Sequence, residues 1–347
     1  DKFRLTLPFF GSGHRVPYIS LGLTLIGLGG IGAAFVPPVA MYPLFVAVAL
    51  FIAMGLALYD TVMDGLAIDV TPDAEQSQVQ GVMVIGRALG LVMMAALYGR
   101  VITAFGWSII FMAVALFALT PLAIMRLVRE PTRRAVTQTF SWEALRDLWR
   151  MEIGRFALYA IIYSLAVYGA NAIITLFAKE DLGGTLIQVG DVAALGGLGM
   201  VLGGGLGLAL ARRVSIWQQG LWTTGFVSLT LLLIAFAATL ANIAAITLLW
   251  GVALAAAELI FITLSMAMSD RRMGAGQFAL FMAISNAGTG VGQALTTGLI
   301  DTVDFRWIFV GLALVNLAAL PLLVKMRAND QHHTLPGKVV KPQIKPQ

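Results

Sequence analysis

The sequence predicts an all-α membrane protein made of two helical bundles, and three observations predict it. Of the 347 residues, 59% are apolar and only 12% charged, about half the charge of a chain that faces water. Apolar runs long enough to cross a hydrocarbon core recur along almost the whole chain. The breaks between those runs alternate between basic and non-basic, as in a chain threaded back and forth through a bilayer. Together they exclude a soluble enzyme and a nucleic-acid binder. The net charge of +5 comes from Arg and Lys in short breaks, where they set topology, and not from a basic face. There is no Cys, which removes disulfide frameworks and thiolate metal sites.

Apolar runs read against turn residues give ten spans: 18–36, 43–66, 79–102, 107–127, 155–177, 187–210, 217–238, 241–267, 276–299 and 306–325. Ahead of the first lie Lys2, Arg4 and Arg15, so the chain starts on the basic side. The first span ends at Pro37-Pro38 with no base nearby, and the second returns to a break, 69–80, that is acidic instead of basic, with Asp69, Asp73 and Glu75. The third span ends at 103–106 without a base, and the fourth runs into Arg126, Arg129, Arg133, Arg134, Arg146, Arg150 and Arg155. The fifth ends at Lys179 beside Glu180 and Asp181, the sixth at Arg212 and Arg213, the seventh at the uncharged stretch 239–242 and the eighth at Arg271 and Arg272. The ninth ends at Arg306 near Asp301 and Asp304, and the tenth at Lys325 and Arg327. The positive-inside rule puts both ends of the chain in the cytoplasm, as an even number of spans requires, and a bacterial inner membrane is the expected setting.

The longest break divides the chain into an N-terminal bundle, 1–127, a linker, 128–154, and a C-terminal bundle, 155–326, followed by a tail, 327–347. Within the linker, Trp142, Leu145, Trp149 and Ile153 recur at helical spacing with charges between them, which reads as a short amphipathic helix at the membrane surface. The tail lacks apolar periodicity and is expected to be disordered. Sliding the chain on itself by about 197 residues puts Gln80 on Gln277, Arg15 near Arg212 and Arg213, and Asp60 beside Glu258, the weak symmetry of a duplicated bundle. On that offset the first bundle would begin about 45 residues before residue 1. The expectation is a twelve-span protein whose first two spans are missing from this chain.

Two six-span bundles joined by a basic loop resemble the major facilitator superfamily. The opening segment, with Asp1, Gly11, Gly13 and Arg15, is similar to that superfamily's loop between the second and third spans. The stretch YDTVMDGLAIDVTPDAE, with Asp60, Asp64, Asp69 and Pro72, resembles the muropeptide-permease (AmpG-like) branch, which is related to acetyl-CoA transporters. GQFALFMAISNAG and IQVGDVAALGGLGMVLGGGLG resemble the same branch, and the likeness covers residues 1 to 326. It implies a secondary transporter, by symport, of a small solute in a cavity between the bundles. It also implies a cytoplasmic gate latch made by Asp1, Arg15 and Asp69, the alternative being solvated loop charges.

A charge at a helix centre costs at least about 2.5–3.5 kcal/mol on insertion scales, so the few present are paired or face a wet cavity. Asp60 lies about 15 Å and Arg87 about 12 Å from the cytoplasmic ends of consecutive antiparallel spans, and Asp64 shares the Asp60 face. These three read as a polar cluster in which a carboxylate takes up the coupling proton and frees Arg87 for an anionic or zwitterionic solute. A buried ion pair holding two helices together is the structural alternative. Glu258 is the counterpart of Asp60, with no base nearby in sequence, and suits a proton carrier. Asn286 and Gln293 share one face of their span, and Tyr163, Tyr168 and Asn171 are placed to line the cavity, although polar residues also stitch membrane helices together.

Gly199, Gly203 and Gly207 recur every four residues inside a span, the pattern of close helix contact and not of a dinucleotide fold. His14, His332 and His333 lie outside the spans, and the motifs of metal and serine hydrolases are absent. The expectation is therefore no enzyme, no cofactor and no metal, with protons, a small solute and the lipid bilayer as partners and no nucleic acid. The competing function is a non-transporting assembly factor or structural subunit of a membrane complex, such as a pigment-protein complex, in which a partner lies beside the bundles.

Overall fold

A computed structural model describes residues 15–71, 76–125, 128, 151–211, 213–268 and 274–334. These hold eleven α-helices: α1 (Val16–Phe35), α2 (Tyr42–Val70), α3 (Gln76–Phe105), α4 (Trp107–Met125), α5 (Met151–Leu176), α6 (Leu186–Ala211), α7 (Ile216–Ala237), α8 (Ile243–Met268), α9 (Gly274–Leu299), α10 (Phe305–Leu317) and α11 (Leu320–Thr334). Each of the ten predicted spans has its helix, and the last is made of two, α10 and α11. Eight helical stretches are long and apolar enough to cross a membrane, with Phe305–Ala328 counted as one. The other two predicted spans are α3, whose apolar part is Leu89–Phe105, and α9, which carries too many polar and small residues to qualify by hydropathy. The amphipathic segment predicted in 128–154 falls outside the described residues, apart from Val128 and the first turn of α5.

Local chemistry places the ends. Proline in the first turn of α1 and α2 supplies a preset φ where no helical N–H is required. Val36 takes an extended conformation ahead of Pro37, which stops α1. Gly106, with φ of 81°, makes the left-handed turn between α3 and α4. Ser215 and Asp304 cap α7 and α10 by accepting from the backbone N–H of Gln218 and Arg306. Pro321, which has no N–H to continue the ladder, follows the break at Ala318-Ala319. From there α11 runs on to Thr334, through the first part of the tail expected to be disordered. The ladder continues because Arg, Ala, Asn, Asp and Gln after Lys325 contain no helix breaker.

The helices cluster into two compact units: residues 1–137 with 185–194, and residues 138–184 with 195–347. In the first, α1 is the hub, packed against both α2 and α4. A Cβ at Gly22 would stand 2.8 Å from Gly55 O, and one at Gly30 would stand 3.0 Å from Phe111 O, so glycine is what lets these backbones approach. Val16, Ile19, Leu23, Leu66 and Met125 form a core that Tyr59, Val62 and Leu122 extend. Leu44, Phe51, Met54, Leu116 and Phe117 are exposed, the apolar outer surface of helices that face lipid.

In the second unit α5 packs against α8, α9, α10 and α11, and α7 packs against α8, α10 and α11. The glycine stripe of α6 closes on α8: added methyl groups at Gly199, Gly203 and Gly207 would run into Leu248, Val252 and Leu259. A second stripe, Gly288 and Gly292 of α9, closes on Ile161, Ser164 and Leu165 of α5. There Thr296 Oγ1 donates to Gly169 O at 3.0 Å. Asn316 Nδ2 donates to Thr224 O and to Ser228 Oγ, both at 2.9 Å, and so ties α10 to α7.

The internal repeat is visible helix by helix. The starts of α1 and α7, α2 and α8, α3 and α9, and α4 and α10 all lie about 200 residues apart. The packing repeats as well: α1 rests on α2 and α4, and α7 rests on α8 and α10.

Candidate functional site

The polar residues that the structure brings together lie in the second unit, where α5 and α8 run antiparallel. Asn171 Oδ1 accepts a hydrogen bond from Trp250 Nε1 at 3.3 Å. Eight residues along each helix, about two turns, lie Tyr163 on α5 and Glu258 on α8. Glu258 is half-buried, and the hydroxyls of Tyr168 and Tyr163 lie within its electrostatic reach. The sequence reads as an acid with no base nearby in sequence, or as a neutral acid bonded to a neighbouring helix; the neighbours seen here are phenols of another helix. The phenols come from α5, 95 and 90 residues earlier in the chain, a proximity that spacing along α8 does not register.

Aromatic packing fixes this group. The Tyr163 ring stacks on Phe261 at 5.3 Å and on Tyr159 at 6.1 Å and meets Tyr168 edge-on at 6.3 Å. Below it Phe156 stacks on Phe261 and takes Phe281 edge-on at 4.7 Å. Tyr163 is 2% exposed. Its hydroxyl lies near Tyr168 and Glu258 yet meets no acceptor or donor in hydrogen-bonding geometry among the described residues. A carboxyl group beside two phenols in a low-dielectric setting is able to hold a proton and to bind hydrogen-bonding groups.

The other predicted residues are distributed more widely. Asn286 and Gln293 are exposed on α9, to one side of the buried row of Phe281, Ser285, Gly288, Gly292 and Thr296. Asp60 is exposed on α2. Asp64 and Asp69 lie on α2 and Arg87 on α3, with side chains outside the described residues, as is Asp1. Arg15 is half-buried at the N-cap position of α1.

Two ionic features went unread in the sequence. Arg100, within the third predicted span, donates to Asp191 Oδ1 at 2.7 Å and to Oδ2 at 3.4 Å, and also to Ala96 O. Beside the pair, Gly99 and Gly190 let the start of α6 approach α3 within the first unit. Arg306 donates to Ala235 O at 3.0 Å, reaches Asp181 at 3.6 Å and lies over the Phe177 ring at 5.6 Å. It gathers the ends of α5, α7 and α10. A charge near the end of an apolar run was the available signal for both.

Apolar helices, outward-facing hydrophobic surface and a duplicated packing pattern define an integral, multi-pass α-helical membrane protein. The chain belongs to the Major Facilitator Superfamily, whose family model matches residues 9–278. It is 26% identical over 300 residues to the anhydromuropeptide permease of Escherichia coli strain K12, a match covering 82% of this chain and 60% of the relative, and equally to that of Escherichia coli O157:H7. The chain thus spans about 60% of the length of these curated relatives. Its fold is similar to that of a bacterial homologue of the human lysosomal transporter Spinster in an inward-facing, occupied conformation. The TM-score is 0.69 at 15% identity, over 94% of this chain and 85% of the other. Against the inward-facing, unoccupied conformation the TM-score is 0.62 at 17% identity, over 91% and 82%.

Proposed function

We propose that this chain belongs to a secondary active transporter that moves a small anionic or zwitterionic solute by alternating access, with protons as the coupling ion. Family membership supports transport, and the name of the 26%-identical relatives supports a muropeptide-like solute. The observation that carries the reading is Glu258, a carboxyl group inside an apolar span beside the hydroxyls of Tyr163 and Tyr168. Ionised, it carries the cost of a charge in the membrane; protonated, it is neutral. Binding a proton from the acidic side therefore favours the rearrangement that carries solute across, and release on the alkaline side resets it. Accumulation accordingly rises as the outside is made more acidic and falls as the gradient collapses.

In this reading Asp60, Asp64 and Arg87 form the first bundle's polar cluster, with Arg87 receiving the solute's negative group. Tyr163, Tyr168, Asn171, Asn286 and Gln293 line the solute path. Asp1, Arg15 and Asp69 act as a cytoplasmic gate in a bacterial inner membrane with both ends of the chain inside. The test uses the complete gene product in proteoliposomes. Glu258→Gln should abolish proton-driven accumulation of an anhydromuropeptide while leaving solute exchange without a gradient intact. Full gradient-driven accumulation in that variant would remove Glu258 from the coupling step.

A further inference from the structure

We infer that the Tyr163 hydroxyl is a contact for the transported solute, and that the group it takes is a neutral hydroxyl. The inference rests on the carrier reading above and adds to it the chemistry of one part of the solute. Tyr163 is 2% exposed and its oxygen makes no hydrogen bond among the described residues, while a phenylalanine would fill the same space without that cost. The ring is clamped between Tyr159, Phe261 and Tyr168, so the phenolic oxygen cannot swing away to a partner elsewhere. Its neighbours Tyr168 and Glu258 are both half-buried and lie within electrostatic reach of it, so a group arriving at Glu258 also comes within reach of Tyr163.

Chemistry selects the group. Glu258 accepts in both protonation states and donates only when protonated, and a phenol does either. A carboxylate, which only accepts, finds no donor in ionised Glu258, and an ammonium group is left as an unpaired charge once Glu258 is protonated. A neutral hydroxyl bonds to Glu258 in either state. A resident water has the same chemistry as a solute hydroxyl, so the experiment separates the two.

The experiment compares the complete wild-type protein with Tyr163→Phe. Thermal unfolding is followed by tryptophan fluorescence, with and without methyl glucoside as a hydroxyl-bearing probe, and exchange of an anhydromuropeptide is measured in proteoliposomes. The expected result is that Tyr163→Phe unfolds at a higher temperature when empty, loses the stabilisation that methyl glucoside gives the wild type, and shows KM for exchange raised about tenfold with kcat retained. A lower unfolding temperature for the empty variant would show a resident partner such as water and overturn the inference. An unchanged KM would overturn it too and leave the carrier reading standing. If the wild type exchanges no solute, the carrier reading falls, and the glucoside shift decides the hydroxyl alone: lost in the variant, it supports the contact; equal in both, it overturns it.

Discussion

Glu258 and Asn316 both place polar atoms inside apolar helices, and their surroundings set different expectations for their removal. Asn316 is buried, and its amide donates to Thr224 O and Ser228 Oγ across the contact of α10 with α7. Asn316→Ala leaves both acceptors unpaired, and since such bonds in membranes are worth about 0.6–1.7 kcal/mol, the expected loss is about 1 kcal/mol in reversible unfolding in detergent. Transport should survive. Glu258 is half-buried beside Tyr168, and the role proposed for it is chemical, so Glu258→Gln should keep the unfolding temperature near that of the wild type while removing coupling. Glu258 was legible as a lone acid in an apolar run. Its phenol neighbours were named as cavity residues for their polarity alone, and the pairing of Trp250 with Asn171 was not seen, because an indole in a span looks like any other apolar residue until the antiparallel register of α5 and α8 is known.

At the scale of the helix, glycine decides which faces meet. Gly203 faces Val252 so closely that a side chain collides with backbone, whereas Gly205, two residues on, has open space around it. Gly203→Val should cost about 1–3 kcal/mol of stability by overpacking, and Gly205→Ala should be neutral or slightly stabilising, both measured by thermal unfolding. The α6 stripe was readable because its glycines fall every four residues in an otherwise aliphatic run. The α9 stripe was hidden: Gly288, Gly292 and Thr296 are interleaved with Asn286 and Gln293, and these drew attention to the exposed face instead of the packed one. The Arg100–Asp191 pair is half-exposed on both sides. A double-mutant cycle on it should give a coupling of about 0.2–1 kcal/mol, falling with salt; a larger, salt-independent value would mean the pair is shielded.

For the whole molecule, hydropathy was enough to place a helix at each of the ten predicted spans among the described residues, since a bilayer imposes long apolar segments and little else. The duplication was legible from three residue matches and became a packing pattern in the fold, α1 with α2 and α4 against α7 with α8 and α10. The break between α10 and α11 was not legible, because an apolar run with one proline reads as a single span. Nor was the extension of α11 into the tail, because helix propagation needs no apolar period once the ladder has begun. The proposed function requires a proton gradient to drive a solute through this scaffold. The measurement that tests it most directly is uptake of an anhydromuropeptide by proteoliposomes of the complete gene product, acidic outside, before and after a protonophore. Proton-coupled transport should give accumulation above equilibrium that collapses when the protonophore is added. Absence of accumulation, or accumulation indifferent to the protonophore, would contradict it.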